Sequence, residues 1–183
     1  MLPALSIAPA IATDIPALVA LVNSAYRGDT SRQGWTTEAD LLEGTRTDAA
    51  DLADLMAGPG ATFLLARTAN GELRGIVYLK NQHPDLYLGM LTVDPAHQAH
   101  GIGKYLLAAA ERQARHLGCT SILMSVISVR HELLAWYARH GFRQTGETVA
   151  FPTDVRFGVP RQELVLLLLR KQLENLHADS SPN

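Results

Sequence analysis

Residues 91–114 read LTVDPAHQAHGIGKYLLAAAERQA. An apolar run ends at Val93, a short polar turn follows, and Gly101 and Gly103 open a helical pattern. A strand that enters a helix through such a turn leaves main-chain N–H groups unpaired at the helix start, pointing where an anion can sit. Glycine lets the main chain approach a phosphate because no Cβ intervenes. Lys104 beside the turn and His100 within it add positive charge. The chemistry on offer is therefore the binding of a phosphate or pyrophosphate. A Walker loop would need a glycine at position 98 and a hydroxyl after the lysine, where this chain has Gln98 and Tyr105. A dinucleotide fingerprint would need a small residue where Leu106 stands, and an earlier place in the chain. There is no Gly-x-Ser-x-Gly elbow to carry a covalent acyl group. His97 and His100 have no cysteine or carboxylate grouping nearby to complete a metal site, so no metal is expected.

The elements around the turn follow from periodicity and punctuation. LSIAPA is a short strand, and Thr13 or Asp14 caps a helix with Pro16 in its first turn and Leu18, Leu21, Val22 and Ala25 on one buried face. RGDTSRQGW reads as a polar loop. Thr36 or Thr37 caps a short helix through Leu42, and Asp48 caps another carrying Leu52, Leu55 and Met56, ended by the glycines of GPG. ATFLLA and LRGIVYLK are strands joined at Asn70-Gly71, a pair suited to a turn that needs positive φ. Leu86 to Val93 is a third strand, followed by a helix from about Ile102 to Leu117 whose Ile102, Leu106, Ala109, Ala110 and Leu117 face a core, closed by Gly118. SILMSV, the helix HELLAWYARH closed by Gly141, and the strands FRQTGETVAF and ELVLLLLRK complete the pattern. Strand, helix, strand around the turn is a βαβ crossover, so the sheet is parallel there. HADSSPN reads as a frayed tail.

The pattern Gln-x-x-Gly-x-Gly at Gln98 to Gly103, preceded by LTVDP and joined through a helix and an apolar strand to LLAWYARHGF, resembles the GNAT superfamily of N-acetyltransferases. The likeness runs from about residue 5 to 170 and is strongest between Leu86 and Phe142. It implies an α/β (α+β) fold: a central mixed, mostly antiparallel sheet with one parallel section, flanked by helices. It implies one acetyltransferase domain over 1–183, with its core at about 5–172 and a polar tail at 173–183. It implies acetyl-coenzyme A as cofactor. By this resemblance the main chain of Gln98, Ala99, His100, Gly101, Ile102, Gly103 and Lys104 wraps the pyrophosphate. Leu91, Thr92 and Val93 hold the pantetheine arm where the strands of the parallel section splay, and a strand amide polarises the acetyl carbonyl. Leu133 and Tyr137 complete the cofactor site, and Tyr137 matches the family's tyrosine near the departing sulfur. A phenol with pKa about 10 is protonated at neutral pH and can serve there as an acid.

Two positions depart from the family pattern. Arg130 stands where many relatives carry asparagine, so it is expected to meet either phosphate or a substrate carboxylate. Ser125 stands where some relatives place a glutamate base, a task serine cannot perform. Glu132, His83, Asp85, Glu38 and a chain of water remain alternatives for removing the amine proton. On the acceptor side the matching segment is residues 26–47. There Tyr26 and Trp35 offer aromatic surface, Glu38 and Asp40 can recognise an ammonium, and Arg32 or Arg46 can pair a carboxylate. The assortment suits a small-molecule amine such as an amino acid. A protein amine and a catalytically silent acyl-coenzyme A sensor are the other readings.

Composition bounds the rest. At 183 residues the chain can bury its own core, and 16 basic against 18 acidic residues leave no basic stripe that would invite nucleic acid. The single cysteine, Cys119, reads as a buried small hydrophobe, and with no disulfide partner the expected location is cytoplasmic. No charged segment precedes an apolar one at the N-terminus, and LVLLLL is far shorter than the ~20 residues that span a bilayer, so no membrane partner is expected. A homodimer through the late strands is expected by analogy.

Overall fold

The computed structural model describes residues 4–152, 154 and 158–174. In chain order these form β1 (Leu5–Pro9), α1 (Ile15–Tyr26), the single turn α2 (Gly28–Ser31), β2 (Leu42–Glu43), α3 (Ala49–Ala57), β3 (Ala61–Thr68), β4 (Leu73–Gln82), β5 (Asp85–Val93), α4 (Ile102–His116), β6 (Ser121–Ile127), α5 (His131–Arg139), β7 (Arg143–Ala150), β8 (Val159–Pro160) and β9 (Val165–Gln172). Seven strands make one sheet in the order β1-β3-β4-β5-β6-β9-β7, and β2 pairs with β8 apart from it. Each neighbouring pair in the large sheet is antiparallel except β5 and β6. The mixed, mostly antiparallel sheet with one parallel section is thus present.

Side chains that alternate along a strand point to opposite faces, which explains why the central strands are continuously apolar. Phe63 and Leu65 of β3, with Ile76 and Tyr78 of β4, pack against Leu18, Leu21 and Val22 of α1 and Leu52 of α3. Their neighbours Leu64, Ala66, Val77 and Leu79 face the other way, onto Ile102, Leu106, Ala109 and Ala110 of α4. Both faces are covered, so a polar residue at any of these positions would lose water and gain no partner.

Helix ends follow the signals in the sequence. Asp48 Oδ1 accepts from the Asp51 amide at 2.8 Å and caps α3. Gly118 and Gly141 take positive φ beyond α4 and α5. Asp14 stands at the start of α1, but its carboxylate turns back to the Ile11 amide at 2.9 Å and to Arg67 at 2.7 Å. At the β3–β4 turn Gly71 alone supplies the positive φ; Asn70 does not. Cys119 is buried, and burial pushes its thiol pKa up.

Two expectations are corrected. The segment expected to be a helix from Thr36 or Thr37 through Leu42 is a turn that runs into β2. Leu42 is buried there with Ile127 and Leu164, so apolar contact with distant strands outweighs the local cap. The loop at residues 27–35 contains the helical turn α2. The apolar ELVLLLL segment lies in and before β9, which is paired on both sides by β6 and β7. HADSSPN lies outside the described residues.

Gly75 of β4 sets how closely α4 approaches the sheet. A Cβ there would stand 2.9 Å from Leu106 Cδ1 and 2.9 Å from the Thr92 carbonyl oxygen. The first can yield, but the second is main chain of the strand that leads into the glycine turn. Gly75→Ala is expected to cost about 1–3 kcal/mol. Urea unfolding should show it as a lower midpoint with an unchanged slope, and an unshifted midpoint would show that α4 can back away freely.

Candidate active site

The site begins where β5 and β6 part. Their parallel pairing covers only Asp85–Tyr87 against Ser121–Leu123. Beyond it β6 stays with β9 through Ile127, while β5 continues along β4. A bulge in β5 leaves Met90 and Leu91 without register partners on either neighbour, and Met90 adopts φ 46°. Two contacts hold this irregular stretch. The Tyr26 hydroxyl donates to the Leu91 carbonyl at 2.6 Å, and Thr92 Oγ1 donates to the Met90 carbonyl at 3.0 Å. The result is a wedge between strands, floored by main chain that stands out of register with both neighbours.

The glycine turn follows directly. Asp94 accepts from the Ala96 amide at 3.1 Å and binds Arg74 at 3.2 Å and His97 at 2.8 Å, fixing how the chain leaves β5. Ala99 and Gly101 both take positive φ, 65° and 78°. α4 then starts at Ile102 with no side-chain cap on Gly101, and Tyr105 N makes a helical bond to the Gly101 carbonyl at 3.0 Å. The amides before Tyr105 have no intrahelical acceptor, and no acidic residue occupies the first turn, so the helix start favours an anion. Gly103 adds a packing role: a Cβ there would stand 3.3 Å from Trp136 of α5, which closes one wall.

Two cavities meet at the wedge. One, about 550 Å³, is lined by Leu91, Val93, Gln98, Ala99, Gly101, Ile102, Gly103, Lys104, Leu133, Trp136 and Tyr137, with Trp35, Thr36 and Glu132 at its walls. The other, about 210 Å³, lies on the far side and is lined by Arg27, Glu38, Arg46, Tyr87, Met90, Met124, Ser125, Val126, Arg130 and Phe151 among others. Tyr26, Leu91, Leu133 and Tyr137 line both. A long ligand from the first cavity and a short one from the second would touch at those four residues.

Tyr137 is buried, its ring 5.0 Å from Trp136 and 5.5 Å from Phe142. Burial pushes its phenol well above the ordinary value, and nearby Tyr26 pushes the same way while Arg130 opposes. Tyr26 is raised by burial and by Glu38. Both phenols are therefore protonated at neutral pH.

The remaining candidates divide. Gln98 lines the larger cavity, but its side chain is a strap: Oε1 accepts from the Trp35 amide at 2.9 Å and Nε2 donates to Thr36 Oγ1 at 2.8 Å. Thr92 is buried with its hydroxyl on Met90, and His100 turns outward onto the His97 and Gln98 carbonyls, so neither side chain lines the larger cavity. Arg130 lines the smaller cavity, not the larger, and donates to the Thr36 and Trp35 carbonyls at 3.1 and 3.3 Å. Trp35 lies at the larger cavity, its ring 6.2 Å from Trp136, rather than on the acceptor side. Glu38 does line the smaller cavity, bound to Arg27 at 3.0 Å and 3.8 Å from Arg130. Arg32 lines neither; it pairs with the exposed Asp40 at 2.7 Å.

Of the alternatives for a base, His83 and Asp85 sit at the opposite end of β5, Asp85 being paired with Arg170 and Ser121. Sequence reading missed Arg27, the β5 bulge and the Gln98 strap. Arg27 is eleven residues from Glu38 on an irregular path, which no periodicity reports, and the bulge depends on a tyrosine 65 residues away.

The sequence signature of the acetyltransferase (GNAT) family matches residues 21–142. A mycothiol acetyltransferase of Saccharopolyspora erythraea is 32% identical over 149 residues, covering 79% of this chain and 43% of that protein. One from Clavibacter michiganensis is 35% identical over 104 residues, or 55% of this chain and 34% of its own length. The chain thus spans less than half the length of these relatives. Among solved structures, the ribosomal-protein-S18-alanine N-acetyltransferase of Escherichia coli superposes with a TM-score of 0.69 at 16% identity, over 97% of this chain and 99% of that one. The yncA protein of Salmonella typhimurium, solved with its cofactor acetyl-CoA, gives 0.66 at 21% identity over 98% of each chain.

The raised phenols have a direct readout. Their unfolded-state pKa is about 10, so they contribute stability that is present below pH ~10 and is lost as the pH rises toward the folded-state values. A spectrophotometric tyrosine titration should find the same number of phenols ionising near pH 10 in Tyr26→Phe and Tyr137→Phe as in the parent. One fewer in either variant would show that its phenol is not raised.

Proposed function

This chain belongs to the acetyltransferase (GNAT) family, and we propose that it transfers an acetyl group from acetyl-coenzyme A directly to the amine of a small molecule. The observation that carries the reading is the meeting of two unequal cavities at Tyr137 and at Leu91, whose main chain stands out of register in β5. Acetyl-coenzyme A suits the larger cavity on the chemistry of the residues present. Uncapped amides at the start of α4, with Lys104 beside them, match a pyrophosphate, and a mostly apolar wall from Val93 to Trp136 matches a flexible arm. The smaller cavity, about 210 Å³, lies below the range of drug-sized pockets, about 300–1,000 Å³, and suits a small metabolite.

When bound, the cofactor supplies a thioester whose acyl carbon an amine can attack. The protein's part is orientation and charge. The amides of residues 101–104 anchor the anionic end, and the main chain at Leu91, held by Tyr26, presents a strand edge to the reacting carbonyl. Tyr137 Oη holds its proton at the shared boundary of the cavities. A thiol ionises near pH ~8.5, below this raised phenol, so Tyr137 acts mainly by donating a hydrogen bond to the departing sulfur. Glu38 is the carboxylate lining the acceptor cavity among the described residues, and it is bound to Arg27 at 3.0 Å. Water through the acceptor cavity is a further proton route.

Thermal melts with acetyl-coenzyme A and coenzyme A, followed by thiol release against free amines and peptides, test this reading. A ligand at a hundred times its Kd stabilises by about 2.7 kcal/mol and must raise Tm. Release with free amines is expected. Release with peptides alone would move the acceptor to proteins, and a melt shift without release on any amine would favour the sensor reading. Tyr137→Phe is expected to lower kcat by about 10²-fold, the scale of one lost transition-state donor, with coenzyme A affinity nearly unchanged. An unchanged kcat would remove Tyr137 from the chemistry.

A further inference from the structure

Three guanidinium groups, Arg27, Arg46 and Arg130, line the acceptor cavity, against one carboxylate, Glu38, among the described residues. Two of the three are engaged. Arg27 is bound to Glu38 at 3.0 Å, and Arg130 to the Trp35 and Thr36 carbonyls with Glu38 at 3.8 Å. Arg46 differs. Its Nη1 is enclosed and has no hydrogen-bond partner among the described residues. Its main chain is nevertheless fixed, because Asn23 of α1 accepts from the Arg46 and Thr47 amides at 2.7 and 3.2 Å and donates to the Thr47 carbonyl at 3.0 Å. A guanidinium held at its root, lining a cavity and short of an acceptor, is an unfilled half of an ion pair. Arg32, the other candidate in the sequence, is already paired with Asp40 outside the cavity.

Resting on the transferase reading, we propose that the acceptor is an amine that also bears a carboxylate on a small apolar body, and that Arg46 binds that carboxylate. The rest of the cavity fits: Met90, Met124, Val126 and Phe151 supply apolar wall. The charge balance also fits. Among the described residues the site holds two surplus positive charges, to which a purely cationic amine would add, whereas a zwitterion brings its own compensation. The same surplus favours the uncharged amine over the ammonium, which supplies the lone pair needed for attack without a dedicated carboxylate base.

Matched acceptors test this. Thiol release is measured with L-leucine, L-leucinamide and isoamylamine, and with L-phenylalanine, its amide and phenethylamine. Binding of isocaproate and hydrocinnamate is measured by calorimetry with coenzyme A present, which needs no turnover. The carboxylate-bearing acceptors should lead their amides and amines in kcat/KM by about 10- to 100-fold, the range of a charge-assisted hydrogen bond. Arg46→Gln should collapse that ratio toward one, chiefly by raising KM, and should weaken isocaproate and hydrocinnamate binding by a similar factor, with Arg46→Lys between. A retained melt shift with coenzyme A certifies that each variant is folded, and Arg46→Lys carries the test if Arg46→Gln does not fold. Preference for amides or amines, an unchanged ratio in the variants, or no binding of either carboxylate overturns the proposal. Thiol release without carboxylate preference would leave the transferase reading standing while removing this one. Carboxylate binding that is lost in Arg46→Gln, with no release on any amine, would keep the anion site and remove the transferase reading.

Discussion

The hydrogen bond from Tyr26 to the Leu91 carbonyl is the constraint on which the site depends. A parallel strand pair that continued in register would spend its main-chain groups on the sheet and leave no wedge. Here pairing stops after three residues, β5 bulges, and the irregular stretch survives because α1 places a phenol against it. Backbone at positive φ in a non-glycine residue costs about 1–3 kcal/mol, and it persists only where the surroundings over-determine it. Tyr26 and Thr92, with the α1 core behind them, provide that determination at Met90.

A second layer of contacts fixes the segment of residues 26–47 over the wedge. It has almost no regular structure of its own, so its position comes from polar ties to other elements. Gln98 binds it from the glycine turn, Arg130 from the start of α5, and the Arg27–Glu38 pair from within. Arg27 and Glu38 are nearly enclosed, with side-chain exposures of 5% and 11%. Such a pair adds little net stability, but removing one partner strands the other. Conformational specificity is a reasonable return for that cost, because the same residues shape one cavity while their ties define the wall of the other.

These two layers separate the binding tasks physically. The larger cavity is lined by the glycine turn and by mostly aromatic or apolar walls, with Gln98, Lys104 and Glu132 among its polar members. The smaller is built from side chains of the irregular segment, the β5 bulge, β6 and α5, where single substitutions change charge and shape.

Local signals made much of the frame legible. Two-residue alternation in β3 and β4, the helical stripe of α4, and the glycines after α4 and α5 act between near neighbours, so the sequence alone determined those elements, the βαβ crossover and the glycine turn with its family. What tertiary structure decided is everything that depends on residues far apart in the chain. Leu42 became a strand because Ile127 and Leu164 bury it. Arg130 came to the smaller cavity and Trp35 to the larger because the carbonyls and the indole that receive them lie about a hundred residues away or on another element. Arg46 was separated from Arg32 because Arg32 is paired with Asp40, whereas Arg46 Nη1 has no hydrogen-bond partner among the described residues. Spacing records which residues can meet within a helix or strand; which charges are left over inside a cavity is set only when the chain closes around it.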